Sequence, residues 1–134
     1  MLTNLPFMRR RMALRRQRRG TPIRMDWVTL ADVQEDPTTG AKLGTATPQT
    51  ETIYGFFNYV NIAHSNVRHF EEIEDGDAII DIPADTVIEG RDGLTFTIDS
   101  QVWAQKRVGE KLAQHWEVHQ GRRLYRTLLL RKQT

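Results

Sequence analysis

The densest group of side chains that could do chemistry is a set of nine carboxylates between residues 71 and 92. Carboxylate pairs can act as general acid and base, and carboxylate-rich loops can bind calcium. The nine residues are Glu71, Glu72, Glu74, Asp75, Asp77, Asp81, Asp85, Glu89 and Asp92. The calcium-loop spacing, with glycine at the sixth position and glutamate at the twelfth, is missing. Several of these acids fall in expected turns or at outward strand positions, where carboxylates are ordinary.

The histidines and short motifs indicate no other chemistry. His64 and His69 are not at ligand spacing, and His115 and His119 could share a metal only on a helix, with no third ligand marked. Nucleophile-elbow, phosphate-loop and zinc-protease motifs are absent, and there is no cysteine. No apolar run is long enough to span a bilayer, and the basic N-terminus lacks the apolar region of a secretory signal. We therefore expect no enzymatic activity, no cofactor, no metal and no membrane partner.

Charged residues form blocks of opposite sign. Residues 1–25 hold eight arginines and no acid, residues 71–99 hold ten acids and one base, and residues 100–134 hold eight bases and two acids. Such blocks either neutralise one another inside the fold or bind copies of the chain and other charged neighbours. Neutralisation inside the fold cannot account for all the N-terminal arginines.

Residues 1–20 form a basic arm. Its residue types favour a helix that Gly20 would end, but like charges four residues apart weaken that helix. We expect an arm that is mobile when alone and ordered by a partner. Three interpretations stay open: a solvated tail, insertion against a neighbouring protein, and contact with phosphate groups of nucleic acid. The candidate partner-binding residues are Phe7, Met8, Arg9, Arg10, Arg11, Met12, Leu14, Arg15 and Arg16.

The elements that must position these residues are mostly strands. Apolar and polar residues alternate from Ile23 to Trp27, in a strand expected to run to about residue 33, and again over residues 78–82 and 94–98, with Pro83 and an Asp99-Ser100 turn as boundaries. A final hairpin is expected to turn at Gln120-Gly121, after a short irregular or helical piece at 108–114. We predict a mainly β fold, a small antiparallel β-barrel or sandwich formed by residues 21–134 as a single domain.

Residues 35–50 are rich in threonine, proline and glycine, which predicts a long polar loop or a projecting hairpin with a weakly paired stem. Loops of this length are either functional or flexible linkers. The next stretch, residues 51–61, carries Tyr54, Phe56, Phe57 and Tyr59 on both strand faces. A buried central strand explains this better than a subunit interface does.

Four motifs, in order along residues 23–132, carry a family resemblance. They are Glu74-Asp75-Gly76-Asp77, Ile80-Asp81-Ile82-Pro83, the alternating stretch 94–98, and the Asp99-Ser100 turn into Val102-Trp103. With the basic N-terminus and the early polar loop, this order resembles the head-closure proteins of tailed bacteriophages. These are also called stopper, head-completion or head–tail connector proteins.

The resemblance implies a homo-oligomeric ring in the virion neck, assembled in the host cytoplasm. The ring would lie between the portal or adaptor and the tail or tail-terminator protein, and it would close the head around double-stranded genomic DNA. It implies a loop that faces the channel or the tail, here Asp36, Pro37, Thr38, Thr39, Gly40, Lys42 and Leu43. Since ring contacts are head to tail, the opposite charge blocks supply the candidate inter-subunit residues Glu71, Glu72, Asp75, Lys106, Arg107, Arg122 and Arg123.

Two alternative functions stay open. The chain could be a small nucleic-acid-binding barrel that stacks bases on the four aromatic residues of 51–61. It could also be a tail-completion or minor tail structural protein, which the sequence does not distinguish from a neck protein.

Overall fold

The computed structural model describes residues 5–60, 70 and 73–133, and within them the side chains of Leu14, Arg16 and Lys42, among others, are not described. Most of the described residues belong to β-strands. The elements are α1 (Leu5–Arg19), β1 (Thr21–Glu35), β2 (Lys42–Tyr59), β3 (Ala78–Pro83), β4 (Asp92–Ile98), β5 (Gln101–Gln105), β6 (Arg107–Val108), β7 (Lys111–Leu112), β8 (Gln114–His119) and β9 (Arg122–Lys132).

Six antiparallel strands close into a barrel, which confirms the predicted fold class. Going round the barrel, β1 pairs with β2, β2 with β3, β3 with β9, β9 with β5, β5 with β4, and β4 again with β1. The last strand, β9, has three neighbours, because β3 lies along one edge while β8 and then β5 share the other. Closure leaves the central strands without free edges, as in other small barrels.

Period-two alternation in the sequence explains the core. Ile80, Ile82, Phe96 and Ile98 are almost completely buried, and Trp103 fills the interior beside them. A second apolar cluster forms on the other face of β3 and β9, where Ile79 and Leu129 pack with Val60 and Ala113. Each large apolar side chain buried in this way stabilises the fold by roughly 1.5–3 kcal/mol.

The C-terminal half follows the predicted order with one refinement. The turn at Gln120-Gly121 joins β8 to β9 with both residues at positive φ, as a tight hairpin turn requires. The ambiguous stretch 108–114 contains no helix. It is a miniature hairpin of β6 and β7, followed by the start of β8.

The N-terminal arm forms a helix that lies on its own barrel, a contact that the sequence did not predict. Its helix, α1, ends at Arg19 as the Gly20 signal predicts, and it packs against β2 and β9 of its own barrel. Met8 and Met12, one helical turn apart, are half-buried, and the Arg15 guanidinium lies over the Phe56 ring at 5.9 Å. Met8 and Met12 therefore mark the face that α1 turns toward the barrel, and Arg15, which is exposed, lies at the edge of that face.

Candidate partner-binding site

The most prominent exposed feature is a two-stranded ribbon that extends beyond the barrel. We use "the ribbon" for residues 29–50, in which β1 and β2 pair from Thr29–Thr47 to Glu35–Lys42. Among the described strands, β4 accompanies β1 only as far as Val28, and β3 accompanies β2 only over Phe56–Tyr59. The ribbon therefore projects roughly 25 Å, at about 3.4 Å per residue, without a third strand.

The ribbon corrects the prediction of a long loop over residues 35–50. Residues 42–50 belong to β2, and only residues 36–41 form the connection. The projecting-hairpin alternative is the one that the structure adopts. Nearly all described side chains of the ribbon are exposed, including Leu30 at 46% and Leu43 at 63%.

The tip of the ribbon is tied by short-range hydrogen bonds. The Gly40 N–H donates to the Asp36 carbonyl, and the Asp36 N–H donates to the Ala41 carbonyl, each at 2.8 Å. The Thr38 N–H donates to the Asp36 carboxylate at 2.8 Å, and this bond lowers the pKa of Asp36. Gly40 has a φ of 71°, a conformation that glycine adopts without strain. The tip thus has a defined shape before any partner binds.

The base of the ribbon is fixed to the barrel by one arginine. The Arg91 guanidinium stacks on the Trp27 ring at 3.8 Å and pairs with the Glu51 carboxylate at 3.1 Å. Because Trp27 lies on β1 and Glu51 on β2, Arg91 holds both strands where they leave the barrel. Motion of the ribbon is therefore expected to bend its outer part rather than its base.

A second exposed surface joins the arm to the last hairpin. The Arg9 guanidinium donates two hydrogen bonds to the Arg123 carbonyl, the Nε bond at 3.2 Å. We call the combined surface the arginine ridge. Its members share exposed guanidinium groups and come from two segments of the chain: Arg9, Arg10, Arg11, Arg15, Arg122 and Arg123. The structure thus brings together residues that the sequence assigned to two separate partner sites.

One predicted inter-subunit residue has its partner inside the chain. Lys106 Nζ lies 2.8 Å from the Asp77 carboxylate and 3.9 Å from that of Glu74, and the Lys106 and Asp77 side chains are only 7% and 5% exposed. Lys106 therefore leaves the set of inter-subunit candidates. The acidic and basic blocks neutralise each other in part within the fold, as the alternative interpretation of the charge blocks holds.

The other inter-subunit candidates are placed differently. Asp75, Arg107 and Arg122 are exposed and form no ion pair within the described part of the chain. Arg123 is exposed but stacks on Trp116 at 4.1 Å. Glu71 and Glu72 lie outside the described residues. Arg107 also lines an open cavity of about 250 Å³ between the start of β4 and the β6–β7 hairpin.

The four aromatic residues of β2 do not form one stacking surface. Phe57 packs against the core and makes an edge contact with Trp103 at 5.6 Å, in line with the core explanation. Phe56 lies on the opposite face beneath Arg15, while Tyr54 and Tyr59 are exposed on different faces. This arrangement does not favour base stacking along the strand.

Arg126 is a structurally important residue that the sequence analysis missed. It is only 1% exposed on the inward side of β9, where its guanidinium donates to the Thr86 carbonyl and pairs with Glu89. Trp116 covers the same guanidinium at 4.4 Å. A lone arginine in the apolar run 124–130 was the available signal. Its inward register is visible only once β9 is paired.

Metal and membrane sites are not evident in the described residues. Across 5–60, 70 and 73–133, no three acidic or histidine side chains converge to hold a metal ion. His115 and His119 lie on strand β8 rather than on a helix, so the helical chelate does not form. No helix in the same ranges has the length and apolar character needed to cross a bilayer.

Comparison with known proteins identifies no relative of this chain. No protein-family model, no curated protein and no solved structure matches it.

Proposed function

We propose that this protein is a structural component of a bacteriophage neck. Copies would form a ring between the portal or adaptor and the tail, close the DNA-filled head and provide the attachment site for the tail. The closed six-strand barrel supports this proposal, since it is the kind of fold that the head-closure resemblance implies.

The single observation that carries the proposal is the ribbon. A two-stranded hairpin with both faces in water is marginally stable at best, and its free edges invite pairing with another chain. This ribbon nevertheless has a preformed tip and a base anchored by Arg91. An anchored, exposed ribbon suits insertion between neighbouring proteins, either toward the ring channel or toward the tail.

Exposed charges offer contacts for the ring. A head-to-tail ring needs two different surfaces on each copy. Asp75, with a negative charge, and Arg107 and Arg122, with positive charges, are exposed and have no ion pair among the described residues. Ring assembly through such pairs would weaken at about 1 M salt, where the Debye length is roughly 3 Å.

A shortened ribbon tests the proposal directly. Residues 31–45 would be deleted and Leu30 joined to Ala46 through Asn-Gly, because these two residues are partners in the ladder and Asn-Gly forms a two-residue turn. In a virus that depends on this gene, we expect the variant to give heads that lose DNA or carry no tails, as judged by electron microscopy. A matched control replaces Gln120 with Asn in the other hairpin and is expected to support normal particles.

Two results would count against the proposal. Normal tailed particles built with the shortened ribbon would show that neck assembly does not require the ribbon. Absence of the chain from the neck density of purified virions would reject the neck assignment itself. A location within the tail would favour the tail-completion alternative instead.

A further inference from the structure

We infer that the arginine ridge binds the phosphate backbone of double-stranded DNA without reading its sequence. This inference goes beyond the neck proposal and does not depend on ring formation, because it concerns a surface present on each single chain. It begins with the contact between Arg9 and Arg123, which are 114 positions apart. That contact joins the basic arm to the β8–β9 hairpin.

The arginines of the ridge have no carboxylate partner among the described residues. Arg10, Arg11 and Arg122 are exposed and make no hydrogen bond or ion pair within the described part of the chain. The Arg123 guanidinium lies over the Trp116 ring at 4.1 Å and that of Arg15 over the Phe56 ring at 5.9 Å, and such cation–π contacts leave guanidinium N–H groups available. None of the six arginines pairs with a described carboxylate.

The dimensions of the ridge suit a regular polyanion. From Arg9 to Arg15 the helix advances about 9 Å, at about 1.5 Å per residue. Double-stranded DNA carries one negative charge per roughly 1.7 Å of its axis, so a duplex beside this part of α1 presents about five phosphate charges. Guanidinium groups bind phosphate oxygens in a bidentate manner.

An acidic protein surface fits the ridge less well. Protein interfaces have apolar and aromatic centres that are depleted in charge. Among the described side chains of α1, Phe7 is the large apolar residue that stands exposed, at 58%, while Met8 and Met12 are half-buried. Dense cationic groups with little apolar area are typical of sequence-independent DNA binding.

The test uses the full chain and two matched double variants. Arg11→Gln with Arg122→Gln removes one charge from each segment of the ridge. The control, Arg131→Gln with Lys132→Gln, removes the same charge at the other end of β9, roughly 30 Å from Arg122 at about 3.3 Å per residue. Binding to two labelled DNA duplexes of unrelated sequence would be followed by fluorescence anisotropy from about 50 to about 200 mM salt.

We expect the wild-type chain to bind both duplexes equally and weakly, with affinity falling steeply as salt rises. Each lost phosphate contact reduces the slope of log K against log salt by about 0.9, so the slope of the ridge variant should be smaller than that of the wild type by about 1.8. The control should keep the wild-type slope. The charge-preserving variant, Arg11→Lys with Arg122→Lys, should retain most of the salt dependence of binding. All variants should unfold at the same urea concentration as the wild type.

Several results would overturn the inference. Equal slopes for the ridge and control variants would show general charge attraction rather than binding at the ridge, and the absence of any wild-type binding at about 50 mM salt would refute it outright. Stronger binding to polyglutamate than to DNA would assign the ridge to an acidic protein. Tighter binding to single-stranded than to double-stranded DNA, if it is lost when Tyr54 and Tyr59 are replaced, would assign DNA binding to the aromatic residues.

Discussion

The buried pair of Lys106 and Asp77 makes the sharpest prediction, because it decides whether Lys106 acts within one chain or between copies. The two charged groups are 2.8 Å apart and almost fully buried. At an effective dielectric constant of about 20, their attraction is about 6 kcal/mol before the cost of desolvation is subtracted. Removing one partner leaves the other charge buried and unpaired, which costs about 3–5 kcal/mol in comparable pairs.

The variants are Lys106→Met, Asp77→Asn and the two combined, with urea unfolding of dilute protein as the assay. We expect each single change to lower the free energy of unfolding by about 3–5 kcal/mol. For Asp77→Asn the loss of unfolding free energy should be near the lower end of this range, since Glu74 lies 3.9 Å from Lys106 Nζ and offers a second carboxylate. The double variant should cost at least about 2 kcal/mol less than the sum of the single changes, because it leaves no unpaired charge. Arg107→Met, next along the chain but exposed, is the control and should change stability by less than about 0.5 kcal/mol.

Additive effects, within about 0.5 kcal/mol, would refute the intrachain pair. A loss of stability that depends on protein concentration would return Lys106 to the inter-subunit contacts predicted from the sequence. In that case Asp77→Asn would leave the effect of Lys106→Met unchanged.

Three further changes test other contacts by urea unfolding. Arg126→Gln should lower the free energy of unfolding by about 2–4 kcal/mol, because the Thr86 carbonyl and the Glu89 carboxylate lose their partner. A change below about 0.5 kcal/mol, as expected at an exposed site, would contradict this. Burial alone would raise the pKa of Glu89, but hydrogen bonds from its own backbone and from Arg126 outweigh burial and lower the pKa. The wild type should therefore have a higher free energy of unfolding than Glu89→Gln, with the largest difference above the ordinary glutamate pKa. This difference should shrink as the pH falls through the lowered pKa that Glu89 has in the folded state. A difference that does not depend on pH would rule this out. Gly55→Ala places a Cβ 2.5 Å from the Asp81 carbonyl oxygen and should cost about 1–3 kcal/mol, whereas a neutral result would mean that the strands separate freely there.

Most of the barrel could be predicted from the sequence because each of its strands has one face buried in the core. Alternation is visible wherever a strand separates core from water, as in residues 78–82 and 94–98, and turn residues mark the ends. The ribbon could not be recognised in this way, since both of its faces are in water and its apolar residues do not alternate. Pro48 and Gly44 within β2 made the stretch resemble a loop.

The candidate site was harder to predict than the fold because it depends on which distant segments meet. Lys106 and Arg126 are charged residues, for which exposure is the usual expectation, yet both are buried with a carboxylate partner. Likewise the arm gave no sequence signal for packing on its own barrel. The contact of Arg9 with Arg123 joins residues near opposite ends of the chain, and periodicity carries no information about such contacts.

The three neighbours of β9 have a consequence for biosynthesis. Because β9 lies between β3 and β5 and also pairs with β8, the barrel stays open until β9 has been made. A nascent chain leaving the ribosome holds β1 to β5 as an incomplete sheet whose unpaired edges on β3 and β5 await a strand not yet translated. Truncation within residues 122–132 should therefore produce an aggregation-prone intermediate rather than a smaller folded domain.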